Sequence, residues 1–174
     1  MATSLEFIKS VNTTKNVSSL SLTDVFSSKY DHYQVHLNVD DVDSEVAIEF
    51  RMMNSGGAVE SSNYDHCHIF MVSGSGSTSE GSYEGATKWQ YCMYGEYNAG
   101  GFVVMNVFNP ANSAKWTMME YRTATHYYAS STATHLGRTG YGVLRVAEAH
   151  TGIQVYAGSA IITEAKLSVF GVKG

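Results

Sequence analysis

Proline, basic residues and long apolar runs are all scarce in this sequence, and each scarcity bears on the structure or the partners of the chain. The single proline, Pro110, leaves the rest of the chain able to donate the backbone hydrogen bonds of a β-sheet. The 11 lysines and arginines are scattered along a chain of net charge −5, so nucleic acid is not expected as a partner. No window approaches the roughly 20 consecutive apolar residues of a membrane-spanning helix. Membrane insertion is therefore not expected either.

Cysteine is also scarce, and the two that occur, Cys67 and Cys92, are expected to be reduced thiols packed in strands. Disulfides are rare in cytosolic proteins. The segment Met1–Lys9 has neither the basic start nor the long apolar stretch of a secretory signal. We therefore expect the chain to be made and folded in a cytosol.

The residues that are abundant indicate a β protein with a contact-rich surface. Charged residues make up only 16% of the chain, and there are 12 tyrosines. Tyrosine buries apolar area yet tolerates water, which suits faces partly covered by neighbouring molecules. A length of 174 residues is enough for a single domain, residues 1–174, with a substantial core.

Alternation of apolar and polar residues predicts two strands with one buried face each. In Tyr33–Val39 the apolar residues stand at odd positions, and in Glu45–Met52 they stand at even positions. The segment Asp40–Ser44 between them has the aspartates of a turn, so the two strands are predicted to pair as a hairpin. The side chains expected to point inward are Tyr33, Val35, Leu37, Val39, Val46, Ile48, Phe50 and Met52.

Further strands are predicted at similar spacing, separated by glycine, serine, asparagine and threonine clusters. They are Leu5–Val11, Val17–Leu22, Tyr64–Val72, Lys88–Tyr97, Phe102–Phe108, Trp116–Thr125, Tyr141–Ala149, Ile153–Ala157 and Ala165–Val172. Roughly eight to eleven strands without helical spacing predict an all-β fold, an antiparallel two-sheet β-sandwich of the jelly-roll type. An immunoglobulin-like sandwich is the alternative, although the Cys–Trp–Cys order that often marks it is absent.

Two polar separators, Ser73–Gly85 and Ser130–Gly140, are predicted to be long loops. The first is a run of glycine and serine typical of flexible chain, and the second contains His135 and Arg138. Loops on a rigid β scaffold commonly carry partner contacts. The two loops are therefore either partner-binding or simply solvated.

The residues capable of metal binding or catalysis form no convincing site. His66 and His68 would project from one face of a strand, but zinc needs a third and usually a fourth ligand. The segment Asp40–Ser44 lacks the glycine and terminal glutamate of a calcium loop. Cys67 adjoins both histidines, yet neighbours on a strand point to opposite faces, so neither can easily act as its base. We therefore expect no metal, no cofactor, no catalytic residue and no enzyme activity.

The chain contains four short motifs, Phe26–Leu37, Val46–Gly57, Asn109–Pro110 and Ala165–Lys173. Together they resemble the small β-sandwich virion proteins of tailed phages, especially phages of marine bacteria and cyanobacteria. In those proteins a strand with two tyrosines precedes a strand that ends in an arginine and a Ser-Gly-Gly loop, and the chain closes on an aromatic-Gly-aliphatic-Lys tail. Phe170 stands where that family usually has tyrosine, a departure in the closing segment.

The resemblance implies a virion structural protein of the head or the tail. A compact domain without the long shaft of a fibre is expected to be a capsid decoration or cement protein that stabilises the head shell. The implied partners are the major capsid protein or other virion proteins, with assembly as a homotrimer in a virion made in the host bacterial cytoplasm. The alternative is a tail fibre or spike, or a carbohydrate-binding receptor-recognition module in which Trp89, Trp116 or tyrosines stack on sugars; a β-sandwich hydrolase is third. The aromatic and histidine positions expected to be exposed at a partner interface are Tyr64, His66, His68, Tyr83, Tyr127, Tyr128 and His135.

Overall fold

The described part of the chain forms thirteen β-strands in the computed structural model. The structure describes residues 4–30, 32–59, 61–73, 76–97, 99–129 and 132–173, and for 127–129 and 132–134 it describes the backbone alone. The strands are β1 Ser4–Thr13, β2 Ser19–Leu22, β3 His32–Val42, β4 Val46–Asn54, β5 Gly57–Ala58, β6 Tyr64–Val72, β7 Thr78–Ala86, β8 Trp89–Gly95, β9 Gly101–Phe108, β10 Thr117–Ala129, β11 Thr132–Leu144, β12 Gly152–Tyr156 and β13 Ile162–Lys173.

Eight of these strands pair in the nested order of a jelly roll. β1 pairs with β13, β2 with β12, β3 with β9 and β4 with β8, and every pair is antiparallel. The ribbon of nested pairs is wrapped so that β13 also meets β3 and β12 also meets β4. The result is two sheets with the orders β1-β13-β3-β9 and β2-β12-β4-β8. The predicted jelly-roll sandwich is thus confirmed.

Two insertions widen the first sheet to eight strands. The segment from β5 to β7 follows β4, and the hairpin of β10 and β11 follows β9. β10 pairs with β9, β11 with β10, β6 with β11, and β7 forms the far edge beside β6. The complete order is β1-β13-β3-β9-β10-β11-β6-β7. One face of this wide sheet covers the core and the smaller sheet.

The core between the sheets is built from the alternating residues that the sequence predicts. The hydroxyl of Tyr33 accepts a hydrogen bond from Ser27 N at 2.8 Å and donates one to Ser27 O at 2.7 Å, so its polar end is satisfied. Burying one large apolar side chain stabilises a fold by about 1.5–3 kcal/mol. Seven of the eight predicted inward residues are almost fully buried, namely Tyr33, Val35, Leu37, Val39, Ile48, Phe50 and Met52.

The predicted hairpin between Tyr33–Val39 and Glu45–Met52 is wrong, because the two strands lie in different sheets. β3 pairs with β13 and β9, whereas β4 pairs with β12 and β8. The connection crosses between the sheets, and Asp43 holds it: its backbone N donates to Ile161 O at 3.0 Å, and its carboxylate accepts from Ile161 N at 2.8 Å. Alternation specifies which side of a strand is buried and not which strand it pairs with.

The two segments predicted to be long loops contain strands instead. β7 occupies much of Ser73–Gly85, and β11 occupies most of Ser130–Gly140. Their glycines make room for neighbouring rings. A Cβ atom at Gly81 would lie 2.8 Å from Cε1 of His68, and one at Gly140 would lie 2.5 Å from Cε1 of Tyr121. These glycines therefore mark close packing.

Candidate binding surfaces of the eight-stranded sheet

The face of the eight-stranded sheet that points away from the core, called here the outer face, carries most of the exposed large apolar side chains. In the described part of the chain nine such side chains are exposed, and seven of them belong to this face. Their exposed fractions run from 46% to 60%. The seven are Leu5, Phe7, Ile69, Met71, Phe102, Met118 and Tyr141, while Tyr97 and Trp116 lie outside the strands.

Strand register aligns the side chains of the outer face in rows across the sheet. Side chains directly opposite each other on neighbouring strands have Cβ atoms about 4.5–5.5 Å apart, so a row forms a continuous surface. At one end of the central row, the rings of Phe7 and Phe170 meet edge to face with centroids 5.7 Å apart. The central row consists of Phe7, Phe170, Gln34, Asn106, Glu120, Tyr141 and Cys67.

Hydrogen bonds join the polar side chains in the middle of this row, Gln34, Asn106 and Glu120, to His36 of the neighbouring row, and we call these four residues the polar ladder. Gln34 Nε2 donates to Asn106 Oδ1 at 3.2 Å, and Asn106 Nδ2 donates to Glu120 Oε1 at 2.8 Å. His36 Nε2 lies 2.7 Å from Gln34 Oε1. Because an amide oxygen only accepts, the histidine is the donor, and burial lowers its pKa. The ladder is a line of pre-oriented polar groups inside an apolar face.

A groove of about 490 Å³ runs along the polar ladder. Phe102 and Tyr141 contribute exposed rings to its walls, and Arg122 and Glu120 contribute charged groups. Fixed amide and carboxylate groups beside exposed rings are chemically suited to two kinds of partner. One is a complementary protein surface, and the other is a sugar that stacks on a ring and hydrogen-bonds through its hydroxyls.

A second concave site lies on the opposite, inward side of β6 and β7, where these strands approach β8. We call it the tyrosine cleft; it has a volume of about 350 Å³ and is lined by His68, Phe70, Tyr83, Tyr91, Tyr94 and Arg138 among others. The ring of Tyr83 stacks on His66 at 4.6 Å and on Tyr91 at 5.5 Å between centroids. Mainly through burial, the pKa values of His66 and His68 fall to about 4. Both imidazoles are therefore neutral at pH 7.

Three residues predicted at an exposed interface are buried, so the exposure assumed for them is wrong. Tyr64 has no exposed surface, and its hydroxyl donates to Val59 O at 3.0 Å and accepts from Met52 N at 3.0 Å. Burial raises the pKa of Tyr64. His66 and His68 are 4% and 6% exposed, because they lie on the inward side of β6. Local sequence pattern does not decide which side of this strand faces the core, because apolar residues occur at both alternating sets of positions in Tyr64–Val72.

The other four predicted interface residues are only partly placed by the structure. Tyr83 is half-buried beside the tyrosine cleft. His135 is exposed on β11, with its ring edge to face against His126 at 4.6 Å between centroids. The side chains of Tyr127 and Tyr128 lie outside the part of the chain whose side chains the structure describes. A role of these residues at an interface stays a prediction.

The metal-binding and thiol-bearing residues are dispersed. Among the described residues, no three histidine, cysteine, aspartate or glutamate side chains gather as a metal ion would require. Cys92 is a free thiol buried in β8, as predicted, and burial raises its pKa. Cys67 is a free thiol on the outer face, where its exposure differs from the predicted packing. Of the histidine pair on β6, His68 lines the tyrosine cleft, and His66 stacks on Tyr83.

The sequence does not directly identify the outer face, because alternation was used only to find the inward positions of each strand. A usable signal is present in Phe102–Phe108, where apolar residues occupy both alternating sets of positions. The same holds at the end of Tyr64–Val72, where Ile69 and Met71 are apolar at outward positions. Strands covered on both faces read as continuous apolar runs. Such runs therefore predict a sheet whose second face is also covered.

Fold and surface together define the class of this protein: a jelly-roll β-sandwich whose enlarged sheet exposes an apolar outer face. No protein-family model matches the chain, and no curated protein matches its sequence. Within the described ranges, no helix has the length and apolar character needed to cross a membrane.

Proposed function

We propose that this chain is a structural protein of a tailed-phage virion, a capsid decoration or cement protein that binds the head shell through the outer face. The observation that carries the proposal is that seven of the nine exposed large apolar side chains in the described residues share one face. Single exposed apolar residues are ordinary, but a face that gathers them typically marks an interaction site. Covering such a face releases its hydrating water and favours association.

The side-chain chemistry of the outer face suits a specific protein partner. Phe102, Met118 and Tyr141 are of types enriched at protein interfaces. The polar ladder ends at Glu120. The hydrogen bonds within the ladder hold its amide and carboxylate groups in orientation before any partner arrives. Apolar contacts then supply affinity, and matching polar groups on the partner fix the register of docking.

Stabilisation of the shell follows from mass action. A protein that binds the assembled shell and not the separated subunits stabilises the assembly by RT ln(1 + [L]/Kd), about 2.7 kcal/mol at 100 Kd. A rigid jelly roll presents its outer face without a large ordering cost, because strands hold the side chains in place. The major capsid protein is the proposed partner. Assembly of the chain as a homotrimer is the part of the proposal that rests on the resemblance of Phe26–Leu37, Val46–Gly57 and Ala165–Lys173 alone.

The location of the chain on particles tests the proposal. We would label purified phage particles with gold-conjugated antibody against the chain and view them by electron microscopy. Antibody absorbed beforehand with the purified chain serves as the control for specificity. Gold spread over the heads is the expected result, and particles that carry no specific gold anywhere would contradict the virion assignment.

A receptor-recognition module on a tail fibre or spike is the second candidate, and the groove along the polar ladder favours it. Tyr141 is 60% exposed and lies opposite Glu120 on the neighbouring strand. A sugar ring can therefore stack on the ring of Tyr141 while the sugar hydroxyls reach the carboxylate of Glu120. Trp89, considered as a sugar platform, has no exposed surface and is excluded from that role, whereas Trp116 is 53% exposed. Gold confined to the tail tip would make this candidate the primary one.

A further inference from the structure

Arg138 in the tyrosine cleft is a buried cation whose charge is not matched by an acid within the described residues. It is only 4% exposed, and its Nη1 donates to the backbone oxygen of Tyr91. Its guanidinium carbon lies 5.2 Å from the ring centroids of both Phe70 and Tyr94. Its Nε atom is buried and has no hydrogen-bond partner among the described residues. No ion pair to an acidic side chain accompanies these contacts in the described ranges.

Other partly buried cations in the chain do have an acid beside them. Arg145 Nε lies 2.6 Å from Asp65 Oδ2, and Lys88 Nζ lies 2.8 Å from Glu49 Oε2. Removing a guanidinium from water costs more than contact with two aromatic rings returns. The neighbouring imidazole of His68 cannot offset the charge, because an imidazole is neutral or positive and never negative. The environment of Arg138 therefore favours the arrival of an anion.

We propose that the tyrosine cleft accepts one carboxylate of an acidic side chain on a partner virion protein, which pairs with Arg138. The proposal rests on the proposed function and adds a second contact with a virion protein, on the side of the sheet opposite the outer face. Arginine and tyrosine are among the residues that dominate binding energy at protein interfaces, and the cleft places Arg138 beside three tyrosines. A carboxylate bound there gains a charge-assisted hydrogen bond in a site shielded from water.

The lining favours an acidic amino-acid side chain over an acidic sugar. Besides Arg138, the walls contain three tyrosine rings and the apolar side chains of Phe70, Val72 and Leu136, and the only acidic residue that lines the cleft in the described part of the chain, Glu80, is exposed. Such walls suit the apolar stem and single carboxylate of a glutamate. A uronic acid brings several hydroxyls, each of which needs a hydrogen-bonding partner on entering a cleft.

The proposal is tested by titrating the full chain with N-acetyl-glutamate amide and with its neutral isostere N-acetyl-glutamine amide, followed by NMR. We expect saturable binding of the glutamate probe with Kd on the order of 1–10 mM, and shifts of the Tyr91 amide signal. The glutamine probe is expected to bind at least about tenfold more weakly, since it lacks the charge that pairs with Arg138. Arg138→Gln is expected to weaken the glutamate probe to the same extent.

A second variant keeps the test decisive if Arg138→Gln fails to fold. Glu80 is exposed at the border of the cleft, opposite Ile69 of the outer face, so Glu80→Gln removes a nearby charge that repels an arriving carboxylate and is expected to tighten the glutamate probe roughly two- to threefold at low salt. Glu84→Gln is the matched control, because Glu84 is exposed on the same strand and does not line the cleft. It is expected to leave the binding unchanged.

Three results would overturn the proposal: equal binding of the two probes, no saturable binding of the glutamate probe, or tighter binding of glucuronate than of the glutamate probe. The last result would assign the cleft to an acidic sugar. These failures are distinct from failure of the proposed function. Gold labelling of the heads can succeed while the cleft binds no carboxylate, and then only the chemistry assigned to the cleft is wrong.

Discussion

The imidazoles of His66 and His68 lie against the ring of Tyr83, and their burial makes the stability of the fold depend on pH. Each ring centroid lies within 6.1 Å of that of Tyr83. In the folded chain the pKa of each histidine is lowered from 6.5 to about 4, with burial as the main cause. Between these values the unfolded chain binds protons that the folded chain does not. Stability is therefore fully present above about pH 6.5 and is lost as the pH falls toward 4.

We predict that the free energy of unfolding falls by about 2 kcal/mol for each of these two histidines between pH 7.5 and pH 5. Urea unfolding at both pH values measures the change. The variant His66→Gln is expected to show a smaller pH dependence than the wild type. His135→Gln, at an exposed position, is the matched control and is expected to follow the wild type. A wild-type stability that is flat from pH 7.5 to 5 would contradict the burial of the pair.

At the scale of elements, β11 shows how glycine can be essential in a strand. A Cβ atom at Gly140 would lie 2.5 Å from Cε1 of Tyr121 and 2.7 Å from the backbone oxygen of Cys67. Neither neighbour yields easily, because one is a buried ring and the other is backbone in the adjacent strand β6. Gly140 is therefore required for the approach of β6 and Tyr121 to β11.

We predict that Gly140→Ala lowers the free energy of unfolding by about 1–3 kcal/mol, the usual cost of overpacking a core. Gly137→Ala on the same strand is the control, since its Cβ would meet only ordinary contacts at 3.8 Å or more. The control is expected to be neutral or slightly stabilising, because alanine restricts the unfolded chain. Chemical denaturation compares the two variants, and equal stabilities would show that β11 is not packed as described.

Elements also show where sequence reasoning succeeds and where it stops. The faces of β3 and β4 are predictable, because alternation directly reflects burial. Their partners are not, because the nested pairing of β3 with β9 and of β4 with β8 joins residues far apart in the chain. The glycines of β7 and β11 carry the same sequence signal as a loop. Only the aromatic rings packed over these glycines distinguish a strand from a loop.

At the scale of the whole molecule, the inserted strands β6, β7, β10 and β11 create both candidate binding surfaces. All four extend the outer face, and β6, β7 and β11 enclose the tyrosine cleft together with β8. His66, His68 and Tyr83 were identified in the sequence, but the side of the sheet on which they lie was not predictable from local pattern. The outer face was predictable in part, since Phe102–Phe108 is apolar on both sides.

The most direct test of the central claim is the binding of the purified chain to phage heads that lack it, measured by sedimentation with the heads. We would compare the wild type with the double variant Phe102→Glu, Met118→Glu on the outer face. The matched control is Tyr97→Glu, Trp116→Glu, which changes two apolar residues outside the strands that are slightly more exposed. We predict at least about tenfold weaker binding of the outer-face variant and wild-type binding of the control. Undiminished binding of the outer-face variant, or an equal loss in the control, would contradict docking through the outer face.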